Sequence, residues 1–244
     1  MTRSKLIMVA GMSFVVGMVL AIFGPGLLLK KVMGAGDSPV SLSLASSSWQ
    51  ESAVGTVPLA NDQDGNLTFA FPVNSPVCAS YSCGVCTAYQ PVDSINYLYT
   101  APGVSSIAGY NSISVSLAVS TSGPVVFDYQ TETGNTCVFP AHVRVFIWQW
   151  NDATQGYDRW WSNSISYELA SGTATITTAL TPDQWSSVYG QAGNANAAAT
   201  QGFYDALNNV RYVGLTFGGG CFFGHGVNVS DGTAQFTLTN YSIQ

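Results

Sequence analysis

The chain has 244 residues, enough for one sizeable domain or two small ones. Charged residues make up 8% of it, against roughly 25% in an average soluble protein, while hydrophobic residues at 47% and aromatic residues at 12% exclude disorder and allow a core. From Asp37 onward Arg144, Arg159 and Arg211 face all 13 acids, a balance of −10 that argues against nucleic acid and anionic membrane surfaces as partners.

Residues 6–29, "LIMVAGMSFVVGMVLAIFGPGLLL", are 24 uncharged, mostly apolar positions with Arg3 and Lys5 before them and Lys30 and Lys31 after. The length suits a helix across a bilayer, and it is long for the apolar core of a cleaved signal peptide. Gly24-Pro25-Gly26 would kink that helix. Residues 1–36 therefore read as a signal-anchor or a signal peptide, with the body exported. It is either anchored with the N-terminal segment in the membrane or secreted. Residues 37–48, "DSPVSLSLASSS", read as a short polar linker, and residues 49–244 as the domain.

Period-2 alternation runs through the domain. "ISVSLAV" (113–119) puts Ile113, Val115, Leu117 and Val119 on one face. "LTFAF" (67–71), "INYLY" (95–99), "VVFDYQT" (125–131), "HVRVFIWQW" (142–150), "SYELA" (166–170), "TATITTAL" (173–180), "YVGLTF" (212–217) and "AQFTLTNYSI" (234–243) follow the same rule. Turn signals separate them at Asp64-Gly65-Asn66, Ser122-Gly123-Pro124, Thr133-Gly134-Asn135, Ser171-Gly172 and Asp231-Gly232. Many short strands divided by such turns predict an all-β antiparallel β-sandwich. One helix is expected at 197–210, with Phe203, Leu207 and Val210 on one face. "TPDQWSSVYG" (181–190) adds a turn with Thr181 as N-cap and Pro182 at the first position.

The order of four segments carries a resemblance: an aromatic opening strand "SSWQESAVG", then "LTPDQWSSVYG", then "FYDALNNVRYVGLTFGG", and a closing "GTAQFTLTNYSI". It resembles the galactose-binding-like jelly rolls of carbohydrate-binding modules, mostly over 173–244 with an echo at 46–71. The resemblance implies a jelly-roll fold and carbohydrate as a ligand class.

Five cysteines, in an exported chain, read as disulfides. Cys137 and Cys221 are expected to pair, and Cys78 to pair with Cys83 or Cys86. A zinc site of the clustered thiolates with His225 or a fourth cysteine is the alternative, although the second CxxC of such sites is missing. A reactive Cys221/His225 pair within "GGGCFFGHGVNVSDG" (218–232) would need a tight turn, because four residues of strand separate the two by about 13 Å.

The aromatic residues supply the site. In "HVRVFIWQW", Val143, Val145 and Ile147 share one face, and Arg144, Phe146, Trp148 and Trp150 the other. "YDRWW" adds Tyr157, Asp158, Arg159, Trp160 and Trp161. Sugar rings present C–H faces that stack on such rings, while Asp, Arg and amide groups bond the hydroxyls. Arg144, Trp148, Trp150, Tyr157, Asp158, Trp160 and Trp161 are thus the candidate carbohydrate-binding residues, with a polysaccharide or surface glycan as partner. The opposing reading makes these rings core. A glycoside-active enzyme would need a carboxylate pair such as Glu132 and Glu168. A structural or adhesive surface domain is the third reading. "NDQDGN" (61–66) resembles part of a calcium loop, so structural calcium is the one cofactor considered, although Asp-Gly-Asn is commonly a plain turn.

Overall fold

The computed structural model describes residues 38–74, 78–82, 85–89, 93–129, 140–149, 158–163, 165–219 and 226–244, with 78–82 and 85–89 described by backbone alone. Over these residues the chain is antiparallel β-sheet with one α-helix. The strands in chain order are β1 (Val40–Ser41), β2 (Gln50–Val54), β3 (Ala60–Asn61), β4 (Leu67–Ala70), β5 (Cys78–Ser82), β6 (Val85–Tyr89), β7 (Ser94–Thr100), β8 (Ser112–Tyr129) and β9 (Ala141–Trp148). They continue as β10 (Arg159–Ser162), β11 (Tyr167–Glu168), β12 (Gly172–Ala179), β13 (Trp185–Ser187), β14 (Tyr212–Gly219) and β15 (Val227–Ile243). The helix α1 spans Ala197–Asn208. The N-terminal hydrophobic helix expected at 6–29 lies outside the described residues. Among the described residues no helix is long and apolar enough to cross a membrane.

The main sheet runs β12-β8-β15-β7-β14-β9-β10-β13, with β1 and β4 also on β15, β2 on β7, β11 on β9, and β3 on β4. It folds over on itself. Phe236 of β15 stacks on Phe69 of β4 at 5.1 Å, and Phe217 of β14 meets both edge-on at 5.4 and 5.6 Å. β14 shares no ladder with β4 or β15, so these rings come together by packing of one layer on another. The arrangement is consistent with a β-sandwich. In β8 the alternation is obeyed residue for residue: Ile113, Val115, Leu117 and Val119 are buried, and the residues between them are half-buried. β9 and β14 lie in mid-sheet and are buried on both faces, which is why their sequences read as near-continuous apolar runs.

Two expected turns are absent. Ser122–Pro124 and Asp231–Gly232 lie within the continuous strands β8 and β15. Their pairing skips register between Val229 and Asp231 and again between Asp231 and Thr233. Gly232 sits there at φ 68, and a Cβ on it would collide with the Pro124 carbonyl oxygen. The glycine allows two long strands to bend together without ending.

The stretch expected to be a linker is also part of the fold. Val40 pairs with Ile243 and Ser41 with Ser242, and the Leu42 N–H donates to the Tyr241 carbonyl at 2.9 Å. Val40, Leu42 and Leu44 pack against the core, so the serines between them mark strand alternation. Thr181 stands at the N-cap of a 3-10 turn, Pro182–Gln184, but its side chain makes no capping bond, and the chain passes at once into β13. The helix itself is capped by Asn196, whose Oδ1 accepts from the Ala199 N–H at 2.9 Å. It buries Phe203 and Leu207 as the pattern predicts.

Cys83, Cys137, Cys221 and His225 lie outside the described residues. In the β5–β6 hairpin, Cys86 stands opposite Tyr81, and Cys78 opposite Tyr89. Three residues of strand, roughly 10 Å, therefore part Cys78 from the position facing Cys86. That is beyond the reach of a disulfide.

Candidate binding face

Antiparallel register decides which side chains meet, since directly opposed residues point to the same face. Trp148 of β9 is opposed by Tyr212 of β14 on one side and Arg159 of β10 on the other. Phe146 is opposed by Gly214 and Trp161, and Arg144 by Thr216. Beyond β14, Gly214 faces Tyr99 and Thr216 faces Tyr97 of β7. One face of four adjacent strands therefore carries a row of rings and cations, while the other face carries Leu98, Leu215, Val145 and Ile147 in the core. Gly214 is at the centre of the row. A Cβ there would collide with the Leu98 carbonyl oxygen, so only glycine lets β7 approach β14 this closely.

The rings touch along the row. Tyr99 and Tyr212 lie 5.2 Å apart, Tyr212 and Trp148 5.8 Å, and Tyr99 and Trp148 6.4 Å. Phe146 continues from Trp148 at 5.9 Å and meets Tyr97 at 5.0 Å. Depth varies along the face. Phe146, Trp161 and Arg144 are buried, whereas Trp148, Tyr212 and Tyr99 are half-buried and Arg211 is exposed. The accessible end of the row is thus the Trp148–Tyr212–Tyr99 triad.

Polar groups fix that end. The Trp148 indole donates to Asp158 Oδ2 at 3.2 Å, and the Arg159 guanidinium lies 5.7 Å from the Trp148 ring centre. Asp158 also reaches Arg159 at 3.9 Å. The Arg211 guanidinium lies 5.5 Å from the Tyr212 ring centre. Backbone bonds from Gln149 to Asp158 and from Arg211 to Trp148, each 2.9 Å, clamp the strand ends beneath them. Burial lowers the Arg144 pKa to about 10, which still leaves it charged at neutral pH. Burial raises the Tyr97 phenol, and the positive charge of Arg159 beside it acts in the opposite direction. His142, at the far end of β9, is held below its ordinary value by burial, then by the charge of Arg144, with Glu168 opposing.

Of the residues picked from sequence, Arg144, Trp148, Asp158 and Trp161 gather here. Trp150 and Tyr157 lie outside the described residues. Trp160 points to the opposite face. It has no exposure and packs edge-on against Phe203 of α1 at 5.3 Å. Consecutive strand residues alternate faces, so the Trp160-Trp161 pair divides between core and row. Tyr97, Tyr99, Tyr212 and Arg211 join the site without having been picked. The alternation of "INYLY", with tyrosines either side of Leu98, was the available signal.

Two of the alternative carboxylates, Asp128 and Glu168, stand on separate strands. Glu168 is exposed on β11 opposite His142, Asp128 stands on β8 opposite Asn228, and Glu132 lies outside the described residues. In the 61–66 loop, Asp62 Oδ1 accepts from the Asp64 and Asn66 N–H groups at 3.0 and 2.8 Å, and Oδ2 accepts from the Asn66 side chain at 3.0 Å. That is the bonding of an Asx turn.

No protein-family model matches this sequence, no curated protein matches it, and no solved structure matches the fold.

Proposed function

We propose that the chain is an exported, non-catalytic binding domain of jelly-roll type that holds carbohydrate on the Trp148–Tyr212–Tyr99 triad. One observation carries the reading: three half-buried rings in mutual contact, edged by Asp158, Arg159 and Arg211. Such a patch offers flat apolar area for the C–H face of a sugar, with hydrogen-bonding groups at its margin. The resemblance to carbohydrate-binding modules supports the same ligand class. In this reading the N-terminal apolar segment delivers or anchors the body, and Cys137 and Cys221 are bridged outside the cytoplasm.

The test is binding of the full-length, detergent-solubilised chain to a broad panel of oligo- and polysaccharides, followed by tryptophan fluorescence. A saturable shift is expected, and Trp148→Ala and Tyr212→Ala should abolish it while the thermal transition persists. A flat response across the panel would transfer the assignment to a structural or adhesive surface domain.

A further inference from the structure

Among the described residues β12 ends the main sheet and pairs only with β8. The ladder tells which of its backbone groups face outward. The Leu180 N–H donates to the Asn111 carbonyl at 2.8 Å, one step beyond the pair Ala179–Ser112. Bonded and non-bonded pairs alternate in an antiparallel ladder, so Thr178, Ile176 and Ala174 also turn their N–H and C=O groups to β8. Ala179, Thr177, Thr175 and Thr173 turn theirs away from it. Two further contacts fix this phase. Ser112, opposite Ala179, exchanges its bonds with Gln244 at 2.9 and 2.8 Å, and the Ala179 carbonyl accepts the Trp185 indole at 2.8 Å. Among the described residues nothing bonds the outward backbone groups of Thr173, Thr175 and Thr177. Other edges of the sheet are blunted. β1, β3 and β11 are two residues long and β13 is three. β2 carries Glu51 and a register shift between Ser52 and Ala53. β12 has eight residues in unbroken register, with no proline, charge or bulge. Thr173, Thr175 and Thr177 are exposed, and hydroxyl bonds between Thr175 and Ser116 at 3.0 Å and between Thr177 and Ser114 at 3.1 Å hold two of them flat against β8.

We propose that β12 is an assembly edge, on which a second copy of this chain pairs antiparallel about a twofold axis at Thr175. With Thr175 opposite its own counterpart, Thr173 meets the counterpart of Thr177. Each outward N–H at these positions then donates to a carbonyl across the join, and a register shifted either way leaves some of them unpaired. The side chains agree with that register. Threonine faces threonine on the exposed side, a stabilising cross-strand pair, and Ala174 faces Ile176 on the other, small against large. Charge selects a copy over a different partner. With a balance of −10, two bodies repel over most of their surface, but residues 111–122 and 169–182 carry no charge. A second acidic chain approaches there at least cost, whereas a basic partner gains nothing from an uncharged edge. No residue of the Trp148–Tyr212–Tyr99 triad takes part, so the pairing is independent of the carbohydrate reading.

Cysteine cross-linking reads the register. In a bonded antiparallel pair the Cα atoms are about 5.5 Å apart, within reach of a disulfide. Full-length chain in detergent is mildly oxidised and run on a non-reducing gel as the parent, as Thr175→Cys and as Thr173→Cys. Thr175→Cys should give a cross-linked dimer well above the background set by the native cysteines. Thr173→Cys should stay at that background, because its counterpart is displaced by about 13 Å along the strand, and should cross-link only when mixed with Thr177→Cys. Thr175→Lys and Thr175→Glu each put like charges on the axis. Sedimentation equilibrium should show association weakened roughly fivefold in either variant and recovered in their equimolar mixture. Thr175 is exposed, so these variants retain the fold. Equal cross-linking at 173 and 175, or association unchanged by the new charges, would place the contact elsewhere and overturn the proposal. A chain that stays monomeric throughout the concentration series overturns it too. Slow amide exchange at Thr173, Thr175 and Thr177 in that monomer would then show that a segment of the same chain covers the edge.

Discussion

Trp148 and Trp160 have the same side chain and opposite roles, and two substitutions separate them. Trp160 is fully buried between the sheet and Phe203, so Trp160→Ala leaves a ring-sized cavity. The expected loss is about 3–5 kcal/mol, read as a lower urea midpoint. Trp148 is half-buried, and its ring faces the patch, so Trp148→Ala should cost less than half of that and act on binding instead. What the sequence did make legible is that Trp160 and its neighbour Trp161 cannot share a face, and density of aromatics alone hid that. His142 gives a second residue-scale test. Burial favours its neutral form in the folded state, while the unfolded chain takes up a proton near pH 6.5. The unfolded state therefore binds more protons as pH falls through that value. Stability from this group is complete above about pH 7.5 and is lost as pH drops toward the depressed folded value. The urea midpoint should fall between about pH 7.5 and 5.5, and the fall should be smaller in His142→Gln.

At the scale of elements, alternation located the strands well and misplaced some of their ends. "ISVSLAV" and "VVFDYQT" are two halves of β8, and Asp231-Gly232 is internal to β15. Gly and Pro signal a departure from regular backbone, and a bulge satisfies them as well as a turn does. Local sequence cannot choose between the two, because the choice depends on whether a partner strand bends at the same place. Here it does, with Gly232 against Pro124. Gly232→Ala should therefore be costly on two counts, a left-handed backbone and a Cβ against a carbonyl, roughly 2–4 kcal/mol together. Amide hydrogen exchange should accelerate first at 125–129 and 227–230, the ladder next to the bulge. If exchange there stays unchanged while global stability falls, the bend is not the element that the glycine protects.

For the molecule as a whole, the question is where the domain begins. A composition rich in serine suggested a linker up to residue 48, but the structure closes the first strand on the last. Val40 and Ser41 pair with the end of β15, and Trp49 donates its indole N–H to the Ser43 carbonyl at 2.8 Å and packs on Tyr241 at 5.8 Å. Asn61 secures the same segment from the other side, bonding the Leu44 carbonyl at 2.7 Å and the Ser46 N–H at 2.8 Å. Serine content misled because it describes only the outward half of an alternating strand. A version starting at Ser38 keeps every one of these contacts. A version starting at Trp49 loses the partial burial of Val40, Leu42 and Leu44, worth about 3 kcal/mol at ordinary transfer energies. For a domain of this size that corresponds to a fall of about 6–12 °C in Tm. Calorimetry of the two versions checks it. Equal transitions would return residues 38–48 to the role of a linker, whereas a loss confined to the shorter version would place the boundary of the folded body ahead of Val40.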